Sequence, residues 1–387
     1  MSDAAAQPLR KAGIGPLGKV FDFFRVWLAR HLNAAPAPLP ILVLMVTDKC
    51  NLKCKMCGAC DYSPGDHDMM DLDQWKAVVD SAEKLRTQVI SITGGEALLR
   101  KDLFELIAYA RGKGMAVHLN TNGLLLRDKN VALLKDTGVE TVSISIESTD
   151  PAIHDAIRGK GTFEHTLQGV RKLRAAAPEI KIGLNNVMNK HNIGSLADMV
   201  TFAQREGLNQ VKFAPIHSNL QHKDKPLEEY EDMVFTEADI PELNAEIGRI
   251  REALEGTDLE SCTERFFNGI EHLYREPASN FYCYAGYAIA TVNPQGEVAA
   301  CFDKPPCANV RQKPLHEIWR SPEFQRHRQL VRQCDKACWD TTNAELSLRL
   351  SFRNLLKEPL KTYKAVRYYL DTRRAQAAKS ADARPQA

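Results

Sequence analysis

Three cysteines in one short loop, Cys50, Cys54 and Cys57, have the residue type and spacing to hold an iron–sulfur cluster. They read CxxxCxxC in VTDKCNLKCKMCGACDY, directly after the apolar run at 41–46. Cubane clusters are held by cysteine thiolates, one per iron. Three protein ligands leave one iron open, and an open coordination position marks a site meant to bind something else. Such an iron can chelate an amino acid through its amine and carboxylate. Zinc is the rival, because Cys57 and Cys60 also form the CxxC pair that zinc sites favour. A second group, Cys283, Cys301, Cys334 and Cys338, again supplies the four thiolates that one cluster requires.

The elements that must position the first loop are legible as a repeating pattern. Short apolar runs at 41–47, 88–93, 116–120, 141–147, 180–187 and 210–214 read as strands. Amphipathic stretches at 73–85, 103–110, 130–135, 163–176 and 193–206 lie between them; the first places Trp75, Val78, Val79, Ala82 and Leu85 on one face. Six strand–helix units predict an α/β fold with a parallel sheet, with ligands at the carboxyl ends of the strands. The expected divisions are an N-terminal amphipathic helix and linker at 1–40, a core at 41–225, a helical connector at 226–261, a cysteine-bearing domain at 262–343, and a basic C-terminal helix and tail at 344–387.

The cysteine loop after a first strand, followed by Gly94-Gly95-Glu96 after a second, resembles the radical S-adenosylmethionine (SAM) superfamily. The resemblance implies a partial (β/α)6 TIM-like barrel, open at one side. It implies a [4Fe-4S] cluster on Cys50, Cys54 and Cys57 whose open iron binds SAM, with one electron cleaving the sulfonium to a 5′-deoxyadenosyl radical. In that family the residue before the third cysteine is commonly aromatic and packs near adenine; here it is Met56, apolar and polarizable. Gly94, Gly95 and Glu96 are implied to contact the SAM amino group, although a strand-to-helix turn also uses glycines. Asn122, in Asn120-Thr121-Asn122-Gly123, matches a rim element, with a plain Asn-Gly turn as the alternative. Ser145 and Glu147 stand where relatives face the ribose, and Glu147 replaces a commoner aspartate. Arg158 matches an arginine that pairs with the SAM carboxylate. Either Asn185 or Asn186 reaches the ribose or carboxylate; Asn185 is the chosen candidate.

The later cysteines resemble the auxiliary-cluster module of the SPASM/twitch subgroup. Cys283 and Cys301 are separated by 17 residues that read as a hairpin turning at Asn293-Pro294-Gln295-Gly296. A full two-cluster module needs a longer cysteine run, so one auxiliary cluster of the twitch type is expected, its four ligands implying [4Fe-4S]. Cys307 is the rival ligand. Cys60 and Cys262 read as ordinary free thiols.

Ten cysteines in 387 residues, set in tight groups, favour metal over disulfides. A net charge of +2 gives no sign of a nucleic-acid partner, and no secretory signal or membrane-spanning run is visible, so a cytoplasmic enzyme is expected. The stretch at 17–32 places Val20, Phe23, Phe24, Trp27 and Leu28 on one helical face, and the C-terminal stretch is basic and aromatic-bearing. Both suit peripheral contact with the cytoplasmic face of a membrane; the alternative is that both pack on the enzyme itself. The function expected is a radical SAM oxidoreductase-type enzyme abstracting hydrogen from a sugar, alcohol or lipid-linked small molecule, reduced by a donor such as flavodoxin or ferredoxin. That substrate class rests on the short stretch before the first strand. A maturase acting on a peptide or protein is the alternative, and a non-catalytic iron–sulfur protein is a third reading.

Overall fold

The computed structural model describes residues 16–58, 69–217, 227–276, 278 and 280–351. The expected repeat is present. Strands β1 (Ile41–Met45), β2 (Val89–Thr93), β3 (Ala116–Thr121), β4 (Thr141–Ser145), β5 (Lys181–Met188) and β6 (Gln210–Pro215) run parallel in sequence order. Helix α1 (Pro16–Leu32) precedes β1. Between the strands lie α2 (Leu72–Lys84), α3 (Leu103–Gly112), α4 (Asp128–Thr137), α5 (Pro151–Arg158), α6 (Thr162–Ala176) and α7 (Asp198–Arg205). After β6 come α8 (Ile240–Leu254) and α9 (Glu264–Arg275), then strands β7 (Ile289–Val292), β8 (Glu297–Ala299) and β9 (Ala308–Asn309). Helices α10 (Leu315–Ile318), α11 (Pro322–Arg332) and α12 (Asn343–Arg349) complete the described chain. The architecture is the partial (β/α)6 barrel with a C-terminal auxiliary domain.

Alternation along the strands sets what faces where. Leu42, Leu44, Ile90, Ile92, Val117, Leu119, Val142, Ile144, Ile182 and Leu184 are all buried, forming the layer covered by helices. The register puts the opposite set, Ser91, His118, Asn120, Ser143, Ser145 and Asn185, on the other face. The barrel lumen is therefore lined by polar groups, unlike a lumen filled with branched apolar side chains. Helix starts follow local chemistry: Asp71 and Gln74 form a reciprocal capping box on α2, and Asp150 caps α5 with Pro151 at its first position.

Two features depart from the sequence reading. Strand β7 pairs in parallel with β1, Ile41 opposite Ile289, so the auxiliary hairpin extends the barrel sheet; the described order is β6-β5-β4-β3-β2-β1-β7-β8-β9. A pairing across some 250 residues has no local signature. Helix α1 docks through Asp22, Val26, Ala29 and Arg30, all buried, while Phe24 and Leu28 of the expected apolar face are 50% and 40% exposed. Asp22 turns inward because Arg86 donates to its carboxylate at 3.0 and 3.2 Å, and Arg30 Nε donates to the Cys283 carbonyl at 2.9 Å. Most of the C-terminal basic stretch, and Cys60, lie outside the described residues.

At the far edge, the segment 259–261 runs along β6, with Val211 N donating to Glu260 O at 2.9 Å. Lys212 and Arg349 both donate to the half-buried Glu260 carboxylate, which ties β6 to α12. The α9 backbone meets Trp339 closely: a Cβ built on Gly269 would stand 1.9 Å from Trp339 Cζ2. Gly269→Ala is therefore expected to lower stability by about 1–3 kcal/mol through overpacking, read as a lower denaturation midpoint, whereas Gly248→Ala on α8, where nothing lies within 4 Å, leaves it unchanged or raised.

Candidate active site

The cysteine loop leaves β1 and is clamped at once by the loop after β2. Gly95 N donates to Thr47 O at 2.8 Å and Glu96 N donates to Lys49 O at 2.7 Å. Neither glycine has room for a side chain. A Cβ on Gly94, whose φ is +146°, would meet Thr47 O at 2.4 Å; one on Gly95 would meet Lys49 O at 2.2 Å. The glycines thus allow two backbones to touch beside the cysteines. Asn122 Nδ2 adds a 2.8 Å bond to Asn51 Oδ1, and Lys55 N donates to Ile157 O at 2.9 Å. Within this frame Cys54 is buried and close enough to Cys50 and Cys57 to feel their charge; burial pushes its thiol up to about 11. Met56 is buried in the core beside it.

Glu96 is fully buried, and its carboxylate accepts from Leu98 N at 3.0 Å, Thr121 Oγ1 at 2.7 Å and Asn122 N at 2.7 Å. Burial raises its pKa against those donors. It braces the β3 rim, a structural role its motif position did not signal. Glu147 also differs from its expected place at a ribose. It is fully buried, and Arg158 grips one carboxylate oxygen through Nε at 2.8 Å and Nη2 at 2.6 Å, while Val187 N donates to the other at 2.7 Å. The third face of the Arg158 guanidinium points at Cys54 Sγ, with Nη1 at 3.8 Å. Burial works to lower the Arg158 pKa, but Glu147 and Cys54 outweigh it and hold it above its ordinary value. The pair's geometry comes from α5, an element not singled out in the sequence, which carries Arg158 at its last turn.

The remaining candidates separate by strand parity. Ser145 and Asn185 are register partners on the lumen face, and Asn185 Nδ2 donates to Asn120 Oδ1 at 3.2 Å. Asn186 points the other way and donates to Ile146 O and Glu147 O. Asn185 is thus the residue of the two that the lumen presents. Asn122 is buried, engaged by Glu96, Asn51 and Leu124.

At the second group, Cys283 is close enough to Cys301 and Cys334, and Cys338 to Cys283 and Cys301, for their charges to act on one another. Burial pushes Cys283 up to about 12 and Cys301 to about 11, and raises Cys338, whose Sγ donates to Asp340 Oδ2 at 2.9 Å. Cys307 stands apart: its Sγ donates to Val298 O at 3.3 Å, and the charges that reach it are those of Arg328 and Glu323. Among the described residues no three His, Cys, Asp or Glu side chains converge tightly enough for a single metal ion; a cubane spreads its thiolates wider, roughly 6–7 Å apart. Both donor sets, all sulfur, suit iron–sulfur clusters. Cys262 is buried against Phe213 O at 3.6 Å, remote in role from either set.

The radical SAM superfamily model matches residues 44–203, and a model described as an iron–sulfur cluster-binding domain, SPASM, matches residues 283–340. The chain belongs to the radical SAM superfamily, in its SPASM/twitch-type subgroup. Its cofactors are a [4Fe-4S] cluster, an auxiliary iron–sulfur cluster and SAM. The AdoMet-dependent heme synthase of Nitratidesulfovibrio vulgaris is 28% identical over 359 residues, covering 87% of this chain and 95% of that protein. The PqqA peptide cyclase of Xanthomonas campestris pv. campestris is 26% identical over 304 residues, covering 76% of each. The crystal structure of Streptococcus suis SuiB bound to S-adenosylmethionine superposes with a TM-score of 0.62 at 17% identity, over 79% of this chain and 71% of that one; it shares the fold.

Two expectations follow. Glu147→Ala leaves Arg158 buried without its carboxylate and is expected to cost about 3–5 kcal/mol in denaturant unfolding. Burial also pushes the His154 imidazole, which accepts from Glu147 N at 3.2 Å, down to about 4. The unfolded chain titrates near 6.5, so this contribution is complete above about 6.5 and is lost as pH falls toward 4, by about 3 kcal/mol at most. Comparing unfolding of the parent and His154→Phe across that range checks it: the variant has the shallower slope.

Proposed function

We propose that this radical SAM enzyme abstracts hydrogen from a peptide or protein substrate. The enzyme class is carried by one observation, the three-cysteine loop clamped against Gly94-Gly95 at the carboxyl ends of parallel strands. Cys50, Cys54 and Cys57 would hold the SAM cluster, and Cys283, Cys301, Cys334 and Cys338 one auxiliary cluster. The bound cluster and SAM supply the one-electron chemistry that starts hydrogen abstraction, with an electron from a carrier such as flavodoxin or ferredoxin. The chain's own groups orient and exclude water: Ser145, Asn120 and Asn185 offer hydrogen bonds in the lumen, the β1–β2 clamp fixes the cysteine loop at the rim with Met56 buried beside it, and Arg158 sets positive charge beside Cys54.

The peptide reading is supported by the likeness to the peptide cyclase, which extends over three-quarters of both chains. The longer coverage of the heme synthase favours a second reading, an iron tetrapyrrole. Neither relative is named for a sugar, an alcohol or a lipid headgroup, so that expected substrate class gains no support. Oxidoreductase-type chemistry is part of the proposal.

The reconstituted protein is expected to hold about eight irons per chain, as two cubanes require. Cys50→Ala, Cys54→Ala and Cys57→Ala combined leaves about four and abolishes release of 5′-deoxyadenosine from SAM. Cys307→Ala leaves the iron content unchanged; loss of about four irons in that variant overturns the auxiliary ligand set. For the substrate, peptides encoded beside the gene are compared with iron tetrapyrroles. Stimulated 5′-deoxyadenosine release with a mass change in a peptide supports the first reading. The same response to tetrapyrroles alone replaces it with the second.

A further inference from the structure

Helix α1 has two faces with different fates. Asp22, Val26, Ala29 and Arg30 are buried against the protein. Phe21, Phe24, Leu28 and Leu32 are 54%, 50%, 40% and 67% exposed. These four recur at helical spacing, so they form one stripe along one side. Tyr282, 73% exposed, continues the patch: its ring lies 6.4 Å from that of His31, and the Arg30 guanidinium sits 5.7 Å over it. Large apolar side chains grouped on a surface mark an interaction site.

Charge decides the occupant. The basic residues of α1 are Lys19, Arg25, Arg30 and His31, of which Arg30 is buried; its single acid, Asp22, is buried too, held by Arg86 and, at 3.6 Å, by Arg25. The stripe therefore offers no exposed carboxylate of its own helix. The chain beyond the described structure is basic as well. Residues 352–387 contain nine Lys or Arg against three acidic residues, a net +6 in a chain whose total is +2. Leu355, Leu356, Leu360, Tyr363, Val366, Tyr368 and Tyr369 interleave with those cations. That segment departs from α1's own neighbourhood: Leu346 and Leu350 pack in one cluster with Val26, Trp27 and Ala29. A second copy would bring cations against cations, and so would the chain's own tail. An anionic surface with an apolar interior satisfies both the stripe and the charge.

We propose that the α1 stripe, together with the basic C-terminal segment, attaches this enzyme peripherally to an anionic lipid bilayer. No described helix is long and apolar enough to cross a membrane, so the contact is interfacial. Phe21, Phe24, Leu28 and Leu32 enter the headgroup boundary, and Arg25 with the tail cations meets lipid phosphates. The attachment is independent of which substrate the barrel takes.

Flotation of the full-length holoenzyme with vesicles tests this, using phosphatidylcholine alone or mixed with phosphatidylglycerol. The protein is expected to float with the mixed vesicles in low salt and to stay at the bottom with phosphatidylcholine alone or in high salt. Phe24→Ser with Leu28→Ser, both already exposed, is expected to abolish flotation while the iron content stays at the parent value. Lys361→Gln, Lys364→Gln and Arg367→Gln combined should weaken partitioning by roughly a hundredfold. Failure of the parent to float in low salt overturns the proposal, as does flotation unchanged by the α1 substitutions. A concentration-dependent dimer that Phe24→Ser and Leu28→Ser dissolve would assign the stripe to a second copy. Vesicle-free protection of the tail from protease, lost in the same variant, would assign it to the tail.

Discussion

The contact on which the site depends is backbone against backbone. Two hydrogen bonds, Gly95 N to Thr47 O and Glu96 N to Lys49 O, stitch the loop after β2 to the segment that leads into Cys50. They form only where neither Gly94 nor Gly95 carries a side chain, because the would-be Cβ positions overlap carbonyl oxygens of the cysteine loop. Unlike a side-chain contact, this one cannot be relieved by a rotamer change. It converts a loop of flanking polar residues into a fixed tripod for three thiols, and the same carboxylate that follows the glycines, Glu96, locks the β3 rim behind it.

Beneath the tripod sits a buried charge pair. Glu147 and Arg158 lie eleven residues apart in sequence and meet because α5 returns to the end of β4. A buried ion pair costs desolvation and holds only when its hydrogen bonds are complete. Here Val187 N and both Arg158 nitrogens fill the carboxylate, and the guanidinium's remaining nitrogen faces Cys54. Burial keeps Cys54, Cys283, Cys301 and Cys338 protonated in the cluster-free chain, so loading iron must release protons. The arginine beside Cys54 favours the thiolate that loading produces.

Much of the frame was legible in the sequence because it is written in local periods. The six core strands match within a few residues, since each is an apolar run bounded by turns, and the cysteine spacings announced both sulfur sites. What stayed hidden depends on pairing at a distance. Whether Asn185 or Asn186 faces the lumen is a question of register, settled only once β5 lies beside β4. Glu147 looked like a ligand-facing residue because its partner sits on a helix whose return path no local signal describes. Which side of α1 packs was hidden as well, because a charged residue, Asp22, is buried with Arg86 from the turn after α2 and Arg25 of its own helix as partners.

The hairpin of β7 and β8 joins the two sulfur sites more directly than a linker between domains does. Its turn reaches the cysteine loop: Gln295 Nε2 donates to Asp48 Oδ2 at 2.6 Å, two residues before Cys50. Its other end carries Cys283 and Cys301, which flank the two strands. Because β7 is hydrogen-bonded along β1 in register, neither end can slide relative to the barrel. Four strand residues span about 13 Å, so the hairpin acts as a fixed spacer between the rim and the auxiliary thiols. Arg30 pins the far end through the Cys283 carbonyl. The separation of the two sites is therefore a property of strand pairing rather than of either ligand set, and β1 serves both: its carboxyl end launches the first cysteines, and its edge aligns the element that carries the second.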